Sequence, residues 1–373
     1  MLSIKPRFSP EPKYLHGQTN KTAVLFCNLG TPESPTPKAL RRYLAEFLSD
    51  PRVVEIPRWL WLMILHGIIL RIRPAKSAKK YASIWTPNGS PLKVWTETQA
   101  HALQSELEQT PHSNASNPII VRYAMRYGHP NIGSQLSVLR DEGVTRVLIL
   151  PAYPQYSATT TASLFDSVFL WGTKSRQIPE FRFVNHYHDH PSYIEALATK
   201  VQAHWSSKGR SEKLLMSFHG IPERSLHLGD PYHCECHKTA RLLAEKLGLS
   251  KNDYIVTFQS RFGKAKWLEP YTEPTAKSLA EQGVKSIDVI CPGFTSDCLE
   301  TLEEIAMEVR ETFIHAGGTE FNYIPCLNDS NVWIKALAKL AQENMQGWPA
   351  SGTQNDKDRQ ASKQNALAMG ATE

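Results

Sequence analysis

The chain has 373 residues, of which 41% are hydrophobic and 21% are charged, with a formal net charge of +6. This length is enough for two domains that each bury a core. The mild charge, without a dense Lys/Arg block, does not favour nucleic acid as a partner, and the six cysteines do not form the framework of a disulfide-rich secreted domain, so we expect a reducing compartment.

The N-terminal extension, residues 1–20, has no apolar core of the kind found in a signal peptide. The longest apolar run, WLWLMILHGIIL at 59–70, has twelve residues and is too short to span a bilayer. We therefore expect a cytoplasmic protein.

A helical pattern at 58–72, here called the lip segment, is apolar on nearly all sides and is flanked mainly by basic residues. Two interpretations stay open. It can be a buried helix, or an apolar edge of a binding cleft that touches the anionic inner face of a membrane.

Strand-type runs alternate with helical patterns along the chain. We predict strands near 22–29, 118–124, 145–150, 181–185, 213–218, 254–260, 286–291 and 321–324. We predict helices near 37–48, 58–72, 92–108, 131–142, 191–206, 237–247, 275–282, 299–314 and 331–345. The alternation predicts an α/β fold with two Rossmann-like lobes, each a four-stranded parallel sheet flanked by helices.

The predicted domain boundaries follow from this alternation. The first lobe covers 21–187, the second 188–329, and a C-terminal helix at 330–347 packs back onto them. The remaining segment, 348–373, is polar and rich in small residues, so it is predicted to be disordered.

The two lobes resemble each other at the ends of their strands. NLGTP (28–32) matches FHGIP (218–222), VRYAMRYG (121–128) matches VTFQSRFG (256–263), and VLILPAYPQYS (147–157) resembles IDVICPGFTSD (287–297). Open parallel sheets bind ligands beyond the carboxyl ends of their strands. The repeats therefore predict one cleft between the two lobes.

Chemically reactive residues occur in only one copy of this repeat. His219 stands where the first copy has Leu29, and Glu300 stands where the first copy has Thr159. An imidazole and a carboxylate can bind a divalent metal or accept protons from a substrate. The pair predicts a reactive site on the second-lobe wall of the cleft.

Glu300, Glu304 and Glu308 are spaced by four residues, which places them along one face of a helix. The row can conduct cations or protons to and from the site. The alternative is a solvated acidic face with Asp297 as a helix cap.

Other motifs narrow the class of ligand. The glycine fingerprints of dinucleotide and P-loop sites are missing. The cysteines of CECH (234–237) lack the spacing of a structural zinc site, and we expect ordinary thiols on a loop before a helix. Aromatic residues near the strand ends can pack in the core or form walls for a large flat ligand. Arg126 and Arg261 could bind acidic groups of such a ligand.

The motifs taken together closely resemble those of ferrochelatases, from about residue 22 to 345. The motifs that carry the resemblance are NLGTP, YASIWTPNGSPL (81–92), YAMRYGHP (123–130), YPQYSATTT (153–161), SFHGIP (217–222), GDPY (229–232), FQSRFGKAKWLEPYTEPT (258–275) and PGFTSDCLETLEEI (292–305). The resemblance implies insertion of Fe²⁺ into protoporphyrin IX, with the porphyrin bound between two Rossmann-like lobes.

The resemblance also implies roles for individual residues. His219 and Glu300 would be the essential catalytic and metal-binding pair, followed by the acidic residues Glu304 and Glu308. The residues implied to line the porphyrin site are Leu29, Arg126, Tyr127, Trp267 and Phe294.

Two departures from the family pattern bear on metal chemistry. Some ferrochelatases have a histidine two residues before the essential glutamate, where this chain has Cys298. Some bind a [2Fe–2S] cluster through cysteines that include a C-terminal group. This chain has Ala158 and no cysteine after Cys326, so we expect no such cluster and no permanent cofactor.

Three alternative functions are open from the sequence. The protein can be a chelatase for another tetrapyrrole or metal, a bilobal protein that binds a ligand without chemistry, or a nucleotide-dependent enzyme. The missing signal peptide argues against a non-catalytic binding protein, and so does the His219/Glu300 pair opposite Leu29 and Thr159. The missing glycine fingerprints argue against a nucleotide-dependent enzyme.

Overall fold

Two parallel sheets of identical strand order organise the structure, a computed structural model that describes residues 8–109, 119–348 and 356–372. The strands are β1 (Lys21–Gly30), β2 (Ile120–Tyr127), β3 (Val144–Pro151), β4 (Glu180–Phe183), β5 (Lys213–His219), β6 (Tyr254–Gln259), β7 (Ser286–Ile290) and β8 (Glu320–Ile324). The orders are β2-β1-β3-β4 and β6-β5-β7-β8, with every pairing parallel. The predicted fold class is confirmed, with small differences at the strand ends.

Helices connect the strands and cover the sheets. They are α1 (Pro37–Leu48), α2 (Arg58–Ile64), α3 (Leu70–Ile84), α4 (Pro91–Glu108), α5 (Ile132–Asp141), α6 (Ser163–Gly172), α7 (Pro191–Lys208), α8 (Glu223–His227), α9 (Tyr232–Leu247), α10 (Thr272–Glu281), α11 (Arg310–His315), α12 (Asn331–Asn344) and α13 (Asp356–Ala368). Three π-helical segments join this set, at Leu65–Ile69, Ala158–Ala162 and Glu300–Val309. The sequence analysis missed the helical region from Ala158 to Gly172, where a run of β-branched threonines lowers helix propensity.

The internal repeat is also visible in the backbone. Gly30 is the last residue of β1 and Gly220 directly follows β5, and each lies against the end of the neighbouring strand. A Cβ added at Gly30 would lie 1.8 Å from the Tyr127 carbonyl oxygen, and one at Gly220 would lie 2.8 Å from that of Gln259. Only glycine permits this close approach of the two backbones.

The two lobes share one large apolar cluster. It includes Phe26 of the first sheet, Phe218 of the second and Trp333 of α12. The helix α12 contacts α4 and α7, and the Trp333 indole N–H donates to the Gln99 side chain at 3.3 Å. Because this buried apolar surface is continuous, it holds the two lobes together beneath the cleft.

The C-terminal segment differs from the prediction of disorder at 348–373. Trp348 is buried, and its indole N–H donates to Glu180 at 2.5 Å. Further along, α13 is a regular helix whose Arg359 donates a hydrogen bond to Thr19. Good helix formers such as Ala, Lys and Gln explain a helix without an apolar face. Residues 349–355 and 373 lie outside the described part of the chain.

Across the described ranges, none of the helices combines the length and the apolar character that crossing a membrane requires.

Candidate active site in the cleft

His219 is the last residue of β5, the strand that lies second in its sheet. Its ring Nδ1 lies 2.6 Å from the carbonyl oxygen of Gly220, so Nδ1 carries the hydrogen and donates it. The other ring nitrogen, Nε2, then keeps its lone pair. The half-buried imidazole is therefore able to bind a metal or accept a proton through Nε2.

Two aromatic rings flank this imidazole. The centroids of Trp267 and Phe294 each lie 6.4 Å from that of His219. Trp267 packs close to Gly220, where an added Cβ would lie 3.1 Å from its ring, and the next residue, Leu268, donates its N–H to Ile221 at 3.0 Å. The structure thus brings three predicted site residues together at one strand end.

Glu300 begins the second-lobe π-helix (Glu300–Val309), and Gln259 donates to its carbonyl oxygen at 2.8 Å. Glu300 borders a narrow cavity whose other walls include Leu29 and Tyr81 of the first lobe. Glu300 therefore faces the first lobe, as the predicted shared cleft requires.

Cys298 borders the same cavity, two residues before Glu300. Burial raises the pKa of this thiol, and the charge of Glu300 raises it further. The thiol thus remains protonated and acts as a hydrogen-bond donor beside the carboxylate.

Glu304 lies behind the pair. Its carboxylate accepts hydrogen bonds from the backbone N–H and the hydroxyl of Ser260, at 2.6 and 2.5 Å. Burial raises the Glu304 pKa, and the charge of Glu300 contributes, while Ser260 and His219 act in the opposite direction. The three predicted residues His219, Glu300 and Glu304 therefore interact electrostatically.

Glu308 is engaged differently from the two glutamates before it. Lys80 of α3 contacts Glu308 at 2.6 Å and Glu303 at 2.9 Å, and the Glu303 side chain is only 11% exposed. Sequence analysis missed Glu303 because it assumed α-helical spacing, whereas the segment is π-helical. The predicted row thus divides into Glu300 and Glu304 near His219, and a Lys80 ion pair further along.

Arg126 and Tyr127 face a buried network around Asp50. Arg126 donates to the Ser163 carbonyl oxygen at 2.8 Å and forms an ion pair with Asp50, to which the Tyr127 hydroxyl also donates at 2.8 Å. Burial alone would raise the Asp50 pKa, but hydrogen bonds from Ser163 and Tyr127, with the Arg126 charge, hold it below its usual value. Tyr127 has no exposed surface, so in this structure it cannot touch a ligand in the cleft.

Two tyrosines at the cavity were not singled out by the sequence analysis. Tyr43 of α1 donates its hydroxyl to the Gly30 carbonyl oxygen at 3.1 Å, and Tyr81 of α3 lies beside it. Burial raises the pKa of both hydroxyls, and the charge of Glu300 contributes. Tyr81 opens one of the motifs that carry the family resemblance, but nothing else in the sequence distinguishes it from a core tyrosine.

Asp297 anchors the start of the π-helix. It accepts hydrogen bonds from the Asn328 amide at 2.8 Å and the Cys326 N–H at 3.1 Å, and it is 6% exposed. Asp297 is therefore a buried anchor, and the row that follows is solvated only in part, because Glu304 is bound to Ser260 whereas Glu308 is 49% exposed. The expected loop at CECH is wrong, because these residues lie in the first turns of α9.

Comparisons with known proteins found one matching family, several close relatives in sequence and solved structures of similar fold. The family model described as Ferrochelatase matches residues 21–345. A protein named Ferrochelatase from Polaromonas sp. strain JS666 is 64% identical over 98% of this chain and 99% of its own length, and one from Methylibium petroleiphilum strain PM1 is 60% identical over the same shares. Among solved structures, SirB from Bacillus subtilis with Fe³⁺ has a TM-score of 0.49 and 11% identity, over 87% of this chain and 95% of its own.

Proposed function

This chain belongs to the ferrochelatase family, which inserts iron into a porphyrin for haem synthesis, and from that premise we propose that His219 and Glu300 form its insertion site for Fe²⁺ and protoporphyrin IX. The observation that carries the proposal is the grouping at one strand end of an imidazole, two flanking aromatic rings and a carboxylate that faces the other lobe. The reaction would place the enzyme among the lyases.

The chemistry requires the removal of two protons. A free-base porphyrin carries two pyrrole N–H groups, and both protons must leave as Fe²⁺ binds the four ring nitrogens. The Nε2 lone pair of His219 accepts a pyrrole proton or holds the metal before transfer. Glu300 shares this task, and the protonated Cys298 thiol beside it can donate to its carboxylate.

Glu304 and Glu308 have different parts in this proposal. Glu304, with its raised pKa and its contacts to Ser260, is suited to receive a proton from Glu300. Glu308 is 49% exposed and paired with Lys80, so it attracts cations toward the cleft without taking part in the chemistry.

The porphyrin would contact Leu29 on one side and Trp267 and Phe294 on the other. The space beside Glu300 is a narrow cavity, so the porphyrin ring needs a wider opening between the lobes. Arg126 can meet a porphyrin carboxylate only if that carboxylate displaces Asp50, while Tyr127 supports Asp50 from behind.

A metal-insertion assay tests this function. Purified protein is mixed with Fe²⁺ and protoporphyrin IX under anaerobic conditions, and loss of free-base fluorescence is followed with haem formation. Catalysed haem formation supports the proposal. Turnover with another tetrapyrrole or another metal, and none with this pair, would favour the alternative chelatase.

We also propose that no permanent cofactor is involved. Position 158 is alanine and no cysteine follows Cys326, so the cysteines that hold a [2Fe–2S] cluster in some members are not available in that arrangement. Iron is a substrate of the reaction.

The lip segment supports a cytoplasmic protein that touches the inner face of the membrane. Its side chains Trp59, Met63, Ile68 and Ile72 are 68%, 59%, 54% and 59% exposed. The exposed basic residues Lys76 and Lys79 follow the lip segment on α3. The two features together are typical of a surface that inserts apolar side chains among anionic lipids.

Vesicle sedimentation tests this contact. Changing Trp59, Met63 and Ile68 to Ser removes exposed apolar surface, so binding to anionic liposomes should fall by about tenfold or more. Trp61 is unsuitable for this test because it is buried and its N–H donates to Leu48 at 2.5 Å.

The matched control changes Ile178, Ile314 and Val332 to Ser, three exposed apolar residues outside the lip segment. These changes should leave liposome binding unaltered. Equal binding by both triple variants would contradict the membrane contact.

A further inference from the structure

A second cluster of metal-ligating side chains lies away from the residues used for insertion. His186 and His188 belong to the connection between β4 and α7, and Glu235 lies in the first turn of α9. One ligand atom from each residue can be chosen so that all three lie within 4.8 Å of one another. The cluster therefore joins the connection between the lobes to a helix of the second lobe.

The donor atoms have the separations that a bound metal requires. His186 Nδ1 lies 2.7 Å from one Glu235 carboxylate oxygen, and His188 Nδ1 lies 3.2 Å from the other. Ligands bonded at 2.0–2.2 Å in tetrahedral geometry are about 3.3 Å apart. Only small side-chain shifts would place both nitrogens and the carboxylate around one ion.

A buried nitrogen of His188 without a hydrogen-bond partner is the second observation that points to a ligand. Its side chain is 7% exposed, yet its buried Nδ1 has no hydrogen-bond partner with suitable geometry. Buried polar atoms are almost always satisfied. The opposite ring nitrogen, Nε2, lies 3.9 Å from Asp189, which resembles the carboxylate behind a metal-binding histidine.

Glu235 is held in place by its neighbours. Its carboxylate accepts the backbone N–H of Tyr156 at 2.7 Å and is almost fully buried. His186, in contrast, has a side chain that is 47% exposed, so an ion can enter from solvent and keep water as a further ligand.

We propose that His186, His188 and Glu235 form a binding site for a divalent transition-metal ion. Two imidazoles and one carboxylate are ligands suited to Zn²⁺, Co²⁺ or Fe²⁺ rather than to Ca²⁺ or Mg²⁺. On binding, both Nδ1 atoms coordinate the ion through their lone pairs, and any hydrogen on Nδ1 moves to Nε2 or leaves to solvent. The ion then ties the loop at Tyr156, the connection after β4, and α9 together. The ion stabilises the junction of the lobes, and this inference does not depend on the proposed insertion chemistry.

Zn²⁺ titration with thermal unfolding tests the site. Wild-type protein should show a rise in Tm with added Zn²⁺, and calorimetry should show one more bound Zn²⁺ than the His186→Ala variant binds. Loss of an outer contact weakens metal sites 10–100-fold, so loss of His186 itself should weaken this site at least about 100-fold. Glu235→Gln keeps an oxygen acceptor for Tyr156 and should have the same effect.

Two further variants make the result specific. In His219→Ala protein the Zn²⁺-dependent rise in Tm should persist, and adding His186→Ala should remove it. His101→Ala, which removes an exposed imidazole from α4, should change nothing. Iron insertion by His186→Ala should remain near normal.

Either of two outcomes overturns the proposal. Unchanged Zn²⁺ binding in both His186→Ala and Glu235→Gln would show that the cluster is an ion pair only. Loss of binding in His233→Ala instead would assign the ion to the His233–His237 pair on α9, whose rings lie 4.4 Å apart.

Discussion

Replacing His219 with alanine is expected to abolish iron insertion while porphyrin binding survives. The ring makes one hydrogen bond, to the adjacent Gly220 carbonyl oxygen, and otherwise contacts Trp267 and Phe294. Loss of a positioned base costs about 10²–10⁴-fold in rate, and loss of a metal ligand adds to this. The two aromatic walls remain in the variant and should still hold the porphyrin.

The fold of the His219→Ala variant should be preserved. The equivalent position of the first lobe is Leu29, which stands beside Gly30 at the end of β1 without any polar partner for its side chain. A half-buried imidazole is therefore not needed to form this strand end. Thermal unfolding should show only a small change in Tm.

The measurement pairs a porphyrin fluorescence titration with the iron-insertion assay on the same preparation. His233→Ala is the matched control, because it removes another half-buried imidazole from the second lobe. Near-normal insertion by His219→Ala would exclude this residue from the chemistry. Loss of porphyrin binding would make it a residue that grips the substrate.

Changing Glu300 to Gln is expected to reduce kcat almost completely. The substitution keeps the size of the side chain and removes its charge, so it can neither hold Fe²⁺ as an anion nor accept a proton. Positioned acids and bases contribute about 10²–10⁴-fold. The Cys298 thiol keeps an oxygen acceptor, and the cavity should therefore keep its shape.

Glu308→Gln is the control on the same π-helix. Glu308 lies eight residues further on, up to about 12 Å along a helix axis, and shares Lys80 with Glu303. Its loss should mostly raise KM for iron, because the cation is no longer attracted toward the cleft. Steady-state kinetics of both variants decide the matter, and an equal loss of kcat would contradict the separate roles.

The Glu300→Gln and Glu308→Gln variants also test whether protons leave and cations arrive by different routes. A proton route through Glu304, which accepts two hydrogen bonds from Ser260, begins at Glu300. A cation route past Glu303 and Glu308, which share Lys80, does not require Glu300. A loss of kcat in Glu300→Gln together with a raised KM for iron in Glu308→Gln would show that the two routes are separate.

Much of the fold is encoded in local sequence patterns. Each lobe repeats strand, turn and helix signals whose periods differ, so the eight strands and their parallel arrangement could be predicted before any contact was known. The comparison of Leu29 with His219 was also local, because both stand immediately before a glycine at a strand end. The proposed reactive pair, His219 and Glu300, could therefore be singled out from one sequence.

Tertiary contacts decided the remaining features. The family resemblance implies that Tyr127 lines the ligand site, and Trp61 belongs to the apolar lip segment. Long-range packing buries both side chains, against Asp50 and against the Leu48 carbonyl oxygen. The π-helical winding after Glu300 gives Glu303 a partner in Lys80, 223 residues away. No sequence pattern specifies such a pairing, because it depends on how separate helices dock.

The His186–His188–Glu235 cluster is the clearest example of a feature that tertiary contacts decide and local sequence does not. Its sequence signals are two histidines in a connection and a glutamate between two cysteines, and none has metal-site spacing. Only the docking of α9 against the junction of the lobes brings their donor atoms within 4.8 Å. Local periodicity determined the strands and the strand-end chemistry of this protein, whereas side chains far apart in sequence meet only through the free energy of burying the surfaces between them.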